Sequence, residues 1–292
     1  MKIGIVGNPG AWSTERLADK VEEKTGYRLV VELDSISLDL EKETVFYRGE
    51  DLLELEGLII KKVGRAYSPS HLDRLDILRY LEGRGVKVFS RPERILRLLD
   101  RLACTVTLKL AQIPMPPTVV TESVGEALSA VDRFGEAVLK PLFSTKARGM
   151  RVVAPGGDLE EVIREFKASG NDVMYIQKKV DLPGQDLGVA FLGGEYLGTY
   201  ARVGHKESWN TTTRGGGRYE NYEPSKEVKE LAKRAQAPFE LDFTSVDVAI
   251  TPNGPIVFEV SAFGGFRGLL EGSGIDAAER YVDYVIKRCN GG

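Results

Sequence analysis

The strongest constraint on the fold is a hairpin near the carboxyl end, TSVDVAITPNGPIVFEVSAFGG, with one acid on each predicted strand. Asp247 lies in an alternating run and Glu259 in an apolar run, and Pro252, Asn253 and Gly254 between them are typical turn residues. A two-residue loop at Asn253 and Gly254 would pair position 247 with 260 and place the acids on opposite faces. A three-residue loop from Pro252 to Gly254 would pair 247 with 259, and this register is the prediction.

Two carboxylates side by side in an apolar hairpin repel each other unless a cation lies between them. Mg²⁺ typically takes one or two carboxylates together with substrate phosphates. We therefore interpret Asp247 and Glu259 as ligands of a magnesium ion. Two solvent-facing acids on an edge hairpin are the alternative, because charged side chains are common on exposed strand faces.

The composition is that of a globular protein with nearly balanced charge. The chain has 292 residues, 42% of them hydrophobic, and a net charge of -3, so we expect a sizeable core and no basic surface for nucleic acid. Cys104 and Cys289 are the only cysteines, which argues against a disulfide framework or a zinc cluster. No run reaches the roughly 18 apolar residues of a membrane span, and the amino-terminal segment lacks a signal-peptide pattern. These features predict a cytoplasmic protein with no nucleic-acid or membrane partner.

Three segments follow from the order of strand and helix patterns. Strands alternate with helices over residues 1–92, which predicts an α/β domain with a parallel sheet. The pattern RPERILRLLDRLACTVTLKLAQI then predicts one helix that ends at PMPP. Residues 93–180 read as a small α+β lobe, and residues 181–292 as a second α+β lobe that contains the hairpin.

Lys140 is the basic residue whose position is most informative. It ends the apolar strand Ala137 to Leu139 and precedes the loop PLFSTKARGM, which offers amides, hydroxyls and cations to phosphate oxygens. An ammonium that emerges from a buried strand needs an anion, whereas a surface hairpin with solvated bases is the plainer alternative. The Walker pattern GxxxxGK[ST] is absent, and GNPG at residues 7–10 does not complete GxGxxG, so those two classes of nucleotide site are excluded.

A second basic group follows the apolar strand GLII of the first segment. Lys61, Lys62 and Arg65 lie where a parallel strand ends, the place where open α/β sheets bind ligands. We expect either a contact with an anionic part of the substrate or an ordinary solvated strand end.

The order of these pieces resembles the RimK-like branch of the ATP-grasp superfamily. From Arg91 to Gly268 the chain carries, in sequence, VLKPLFSTKARGM, MYIQKKV, the GQD turn, YARVG, NTTTRGGG, SVDVAI and FEVSAFGGFRGL. The resemblance implies a two-lobed ATP-grasp fold after the α/β domain, ATP held between the lobes, and phosphoryl transfer to a carboxylate followed by amine attack. It covers about two thirds of the chain.

The resemblance also implies residue roles. The nucleotide-binding set comprises Arg101, Lys140, the loop residues Ser144, Thr145, Lys146 and Gly149, the hinge Gln177, Lys178, Lys179 and Val180, and Asp186 near the ribose. The catalytic set is Arg202, Asn210 and Arg214, and the metal set is Asp247, Glu259 and Ser261.

Three positions depart from the family pattern. Ser261 stands where the family usually has Asn, Arg101 stands where it often has Lys, and Gly188 stands where it often has Arg. Ser261 keeps an oxygen but loses the amide carbonyl, and Gly188 cannot neutralise phosphate. The number of metals is therefore open.

The resulting prediction is an ATP-dependent ligase that joins a small-molecule or peptide carboxylate to an amine, such as the amino acid glutamate, through an acyl phosphate. Its cofactors would be ATP and Mg²⁺, with Mn²⁺ as a substitute, and a homo-oligomer is compatible with the sequence. A non-catalytic nucleotide-binding regulatory protein and a small-molecule kinase are the alternatives.

Overall fold

The computed structural model describes residues 1–65, 68–144, 147–204, 211 and 217–291. Its first part contains β1 (Ile3–Val6), α1 (Trp12–Thr25), β2 (Val30–Val31), β3 (Ser37–Asp39), β4 (Thr44–Tyr47), β5 (Glu50–Asp51), β6 (Gly57–Ile60), α2 (His71–Gly83) and β7 (Lys87–Phe89). The predicted parallel sheet is present, with strand order β2-β1-β6-β7. All residues of β1 and β6 are buried, as expected for parallel strands covered on both faces.

The sequence patterns did not predict a small antiparallel sheet in the first part. Strands β3, β4 and β5 form it, with Ser37 opposite Phe46 and Tyr47 opposite Glu50. These strands have two to four residues each, which is too short for an alternating pattern to stand out.

The single long helix predicted after residue 91 is wrong, because the structure has α3 (Pro92–Leu99) and α4 (Arg101–Leu110). Asp100 between them has an extended backbone, with φ -97° and ψ 124°, and its side chain accepts a hydrogen bond from the Leu102 amide. This is an N-cap, and it starts a new helix with Arg101 at its first position.

The first lobe is a four-stranded antiparallel sheet with two helices. It comprises β8 (Thr118–Thr121), α5 (Val124–Phe134), β9 (Ala137–Lys140), β10 (Arg151–Val153), α6 (Leu159–Ala168) and β11 (Met174–Lys178). The strand order is β10-β9-β11-β8. Lys140 therefore lies at the end of a central strand, opposite Tyr175.

The second lobe is a five-stranded antiparallel sheet with order β14-β13-β12-β15-β16. It comprises β12 (Gln185–Leu192), β13 (Glu195–Val203), β14 (Arg218–Asn221), α7 (Lys226–Gln236), β15 (Phe243–Thr251), β16 (Gly254–Ser261), α8 (Phe266–Ser273) and α9 (Ala277–Asn290). The sequence patterns did not predict α8, because the glycines of SAFGGFRG at its start disfavour a helix.

The apolar core is shared between the first part and the second lobe. Leu17 of α1 and Ile3 of β1 belong to the same cluster as Val282 of α9, whereas the first lobe has its own core around Ile163 and Ile176. The chain division at residues 92 and 180 stays a prediction. Among the described residues, no helix combines the length and the apolar composition that crossing a membrane requires.

Candidate active site on the second lobe

The hairpin brings the two predicted metal acids together. Asp247 of β15 pairs with Glu259 of β16, so their side chains share one face of the sheet. The predicted pairing is confirmed, but the predicted three-residue loop is wrong. Thr251 pairs with Gly254 across a two-residue loop, and the register shifts at a bulge between Asp247 and Val248, where Phe258 is the extra residue. The bulge, and not the turn, aligns the acids.

Arg202 of β13 neutralises two carboxylates at once. Its guanidinium forms a bidentate ion pair with Asp186 of β12, in which Nε lies 3.1 Å from Oδ1, and its terminal nitrogen lies 3.0 Å from Asp247 Oδ2. Burial opposes the charge on Arg202, but the two carboxylates outweigh it and the pKa of Arg202 is raised. The arginine therefore stays charged and fixes the spacing of the two acids.

Asp186 is buried, and both of its oxygens are engaged. Besides Arg202, it accepts a hydrogen bond of 2.5 Å from the Thr211 hydroxyl, a partner that sequence reasoning did not identify. The role of Asp186 near the ribose stays a prediction, and in this structure its direct contacts are Arg202 and Thr211.

Asp247 lies in a setting that disfavours its charge. Burial raises its pKa, Arg202 opposes the rise, and the neighbouring Glu259 adds to it. A divalent cation between the two acids would reverse this balance, because an opposite charge favours the ionised carboxylate.

Arg101 connects the start of α4 with the metal hairpin. Its guanidinium lies 3.3 Å from Glu259 Oε2 and donates to the Pro141 carbonyl at 3.2 Å, and its side chain is only 10% exposed. A cavity of about 60 Å³ lies here, and its lining includes Arg101, Ser144, Glu259 and Ser261. The structure thus brings predicted phosphate and metal residues from three separate segments to one place.

Lys140 is anchored by the hinge. Its Nζ donates to Gln177 Oε1 at 2.6 Å, and the amide nitrogen of Gln177 donates to Thr118 and Tyr175 at 3.1 Å each. The side chain is partly exposed, yet protein atoms surround the ammonium. This burial lowers the pKa of Lys140 to about 7, helped by the charge of Arg101 and opposed by Glu259. Lys140 is therefore a cation site that is only partly charged near neutral pH.

Of the other residues predicted to bind the nucleotide, some already have hydrogen-bond partners within the protein and some lie outside the described residues. The amides of Lys178 and Lys179 donate to the carbonyls of Pro117 and Glu136, so two of the predicted hinge amides already have partners, and Val180 follows them. Ser144 donates to Pro141 at 3.4 Å, and Gly149 has a φ of 71°, which favours glycine. Thr145, Lys146, Asn210 and Arg214 lie outside the described residues, and their roles stay predictions.

The glycine at position 188, where the family often has arginine, has a structural reason that the sequence did not show. Gly188 pairs with Asp247 on one side and Tyr200 on the other, and the Tyr200 ring covers the position where a side chain at 188 would lie. A Cβ at 188 would be 2.2 Å from Cζ of Tyr200 and 2.4 Å from its hydroxyl. Tyr200 is buried, and burial raises its pKa. A neutral phenol therefore stands next to the metal acids, where the family often has arginine.

We expect Gly188→Ala to destabilise the protein by about 1–3 kcal/mol, because the added methyl group overpacks a filled site. The measurement is urea unfolding of the purified protein. The matched control is Gly125→Ala in α5, where the nearest atom to an added Cβ is 3.8 Å away, and no loss is expected. Equal stability of the two variants would show that Tyr200 moves aside at no cost.

The donor set fits a magnesium ion that completes its shell with phosphate and water. Within the described part of the chain, no three His, Cys, Asp or Glu side chains come together as a metal site. Two carboxylates and the Ser261 hydroxyl remain, all on one face, since Ser261 lies two residues from Glu259 on β16. Such an oxygen-only site suits Mg²⁺ with substrate phosphates, and it does not suit zinc.

The two lobes, the strand lysine with its loop and the acid hairpin define an ATP-grasp protein. The family model for the RimK-like ATP-grasp domain matches residues 99–285. The chain is 32% identical to the tetrahydromethanopterin:alpha-L-glutamate ligase of Methanocaldococcus jannaschii, over 98% of this chain and 99% of the relative. It is 28% identical to the ligase of the same name from Methanosarcina acetivorans, over 97% and 98% of the two chains. Among solved structures, the ATP-grasp ligase PsnB in complex with a phosphomimetic variant of its minimal precursor, Mg and ADP matches with a TM-score of 0.76 at 19% identity, over 98% of each chain.

The chain belongs to the RimK-like ATP-grasp family. The predicted fold class, an α/β domain followed by a two-lobed ATP-grasp fold, is confirmed, and so is the prediction of an ATP-dependent carboxylate–amine ligase.

Proposed function

We propose that this protein attaches L-glutamate, through its amine, to a carboxylate of a small molecule or peptide, with ATP and Mg²⁺. The relatives named above as alpha-L-glutamate ligases match almost the full length of the chain, which supports glutamate as the amine substrate. The single observation that carries the proposal is the convergence of Asp247, Glu259, Arg202 and Arg101 on one face of the second lobe, with Lys140 opposite the hinge.

The described residues divide the work between binding and charge stabilisation. Lys140 and Arg101 would neutralise the triphosphate, and Asp247 and Glu259 would hold Mg²⁺, with Mn²⁺ as a substitute. The ion would supply Lewis-acid neutralisation of the phosphate charge. The γ-phosphoryl group leaves ADP and bonds to a substrate carboxylate oxygen, which gives an acyl phosphate. The glutamate nitrogen then attacks the acyl carbon, phosphate leaves, and the nitrogen loses a proton.

Arg202 fits the second half of this reaction. Asp186 holds its guanidinium in a fixed orientation, so the arginine is preorganised for the negative charge that develops on the acyl phosphate. Asn210 and Arg214 are proposed to face the same group. The protein would work by positioning and electrostatics, without a covalent enzyme intermediate.

The test is a screen of carboxylates with ATP, Mg²⁺ and L-glutamate, read as ADP release and as product mass. We expect ADP release to require both a carboxylate and glutamate, with a product that carries a glutamyl group. With a ¹⁸O-labelled carboxylate, one labelled oxygen should appear in the released phosphate. Product without label in phosphate would refute the acyl phosphate.

Two other outcomes identify the alternatives. A stable phosphorylated product without amine incorporation would show a small-molecule kinase. Nucleotide binding without ADP release for any carboxylate would favour the non-catalytic regulatory protein.

A further inference from the structure

Lys61, at the carboxyl end of the β6 segment, is a buried lysine that the proposed reaction does not use. Its side chain is 1% exposed, and its Nζ donates to the Phe263 carbonyl at 2.9 Å. The same nitrogen lies 3.4 Å from the centre of the Phe266 ring and 5.6 Å from the centre of the Phe243 ring. Lys61 is thus neither solvated nor open to a substrate anion, the two expectations drawn from the sequence.

Burial lowers the pKa of Lys61 well below its usual value, and the charge of Lys62 lowers it further, so this environment disfavours the ammonium form. Among the described residues no carboxylate forms an ion pair with Lys61, so one carbonyl and two aromatic faces take the place of water. Burying a lysine amine is costly in either protonation state, because a charge loses its solvation and a neutral amine loses hydrogen bonds to water. An apolar side chain would fill the same space at lower cost. The lysine therefore does something that packing alone does not require.

What Lys61 holds is the segment that follows the metal strand, residues 262–266. The Phe263 amide donates to the Ser261 hydroxyl at 3.2 Å, so the residue whose carbonyl binds Lys61 also orients the third predicted metal oxygen. Gly264 and Gly265 cover Ser245, which pairs with Ser261 across the hairpin and precedes Asp247 by two residues. The position of residues 262–266 thus shapes the surroundings of the proposed metal site.

We propose that Lys61 is a positioning residue for the magnesium site: from the first part of the chain, it fixes residues 262–266 and, through Phe263, the hydroxyl of Ser261. This inference rests on the proposed function, because the position of Ser261 matters for catalysis only if the hairpin binds a metal-nucleotide complex. It also assigns to the parallel sheet a part in the ATP site that is separate from substrate binding.

The test compares Lys61→Met with the unaltered protein by two measurements. The first is amide hydrogen exchange of residues 262–266 without nucleotide, which we expect to become at least tenfold faster. The second is calorimetry of ADP binding with and without Mg²⁺. The Kd for ADP alone should stay within twofold, whereas the gain in affinity from Mg²⁺ should fall at least fivefold.

The matched control is Lys87→Met. Lys87 of β7 also donates to backbone carbonyls of the second lobe, those of Arg288 and Cys289 at 3.2 Å, but far along the chain from the metal strand. It should leave both measurements unchanged. If the role of Lys61 were purely structural, Lys61→Met would lower stability as Lys87→Met does, and neither variant would show an effect specific to Mg²⁺.

Unchanged exchange and an unchanged Mg²⁺ gain in folded Lys61→Met would overturn the inference. If that variant does not fold, Phe266→Leu decides, since it removes the ring contact and keeps the carbonyl bond; smaller shifts of the same two kinds are expected, and their absence refutes the role. If Mg²⁺ does not strengthen ADP binding by the unaltered protein, the proposed magnesium site itself fails, and this inference fails with it.

Discussion

Asp247→Asn is expected to lower ligase turnover by about 10²- to 10³-fold while the protein stays folded. A metal ion typically supplies several kcal/mol of charge stabilisation in the transition state, and each 1.36 kcal/mol corresponds to a factor of ten in rate. Stability should change little, because Arg202 keeps its bidentate partner Asp186 and the lost carboxylate was one whose charge burial disfavoured. The measurement is the initial rate of ADP release at saturating ATP, with thermal unfolding alongside.

Arg202→Met provides the contrast on the same sheet face. It leaves Asp186 and Asp247 without their shared cation, and an uncompensated buried charge typically costs about 3–5 kcal/mol of stability. Glu220→Gln on β14 is the control, since the Glu220 side chain is exposed and pairs only with the exposed Arg218 among the described residues. Full turnover by Asp247→Asn would remove the hairpin from the reaction. Equal stability of the Asp247 and Arg202 variants would show that the arginine does not hold the acids.

Nucleotide binding at pH 8 is expected to take up nearly one proton, through Lys140. Burial holds the pKa of Lys140 at about 7 in the free protein, so this amine is mostly neutral at pH 8. The phosphates of a bound nucleotide favour the ammonium and raise its pKa, so the complex binds the proton that the free protein lacks. The contribution of Lys140 to affinity should therefore be fully present below pH 7 and be lost as the pH rises above it, by up to tenfold per pH unit.

Calorimetry of ADP with Mg²⁺ in two buffers of different ionisation enthalpy measures this uptake directly. Lys140→Met should abolish it and should weaken binding roughly 10- to 150-fold at pH 6, where the lost charge-assisted hydrogen bond is worth about 1.5–3 kcal/mol. Lys109→Met, which alters an exposed lysine in the last turn of α4, is the control. Proton uptake that persists without Lys140 would assign the titration to another group, and unchanged affinity would assign Lys140 to the fold.

The hairpin shows how much of a site the local sequence can predict. The acids of TSVDVAI and PIVFEVS were predicted to pair, and they do, but by a shorter turn and a bulge at Phe258. Turn type depends on a few local residues, whereas a bulge depends on what each face of the strand must bury, and that involves the rest of the sheet. Likewise Asp100, a strong capping residue in the middle of an apolar repeat, could have predicted the break between α3 and α4.

By itself, the sequence determined the order of strands and helices, the parallel sheet, the lysine that ends β9 and the ordered motifs of the family. These depend on periodicity and on residues close together in the chain. Only the tertiary structure decided which charges meet: Arg202 between Asp186 and Asp247, Arg101 on Glu259 from 158 residues away, Tyr200 over Gly188, and Lys61 under residues 262–266. Ion pairing, burial and steric exclusion act through space, so the surroundings that set the charge of Lys140 and the shape of the metal site exist only once the distant segments have packed together.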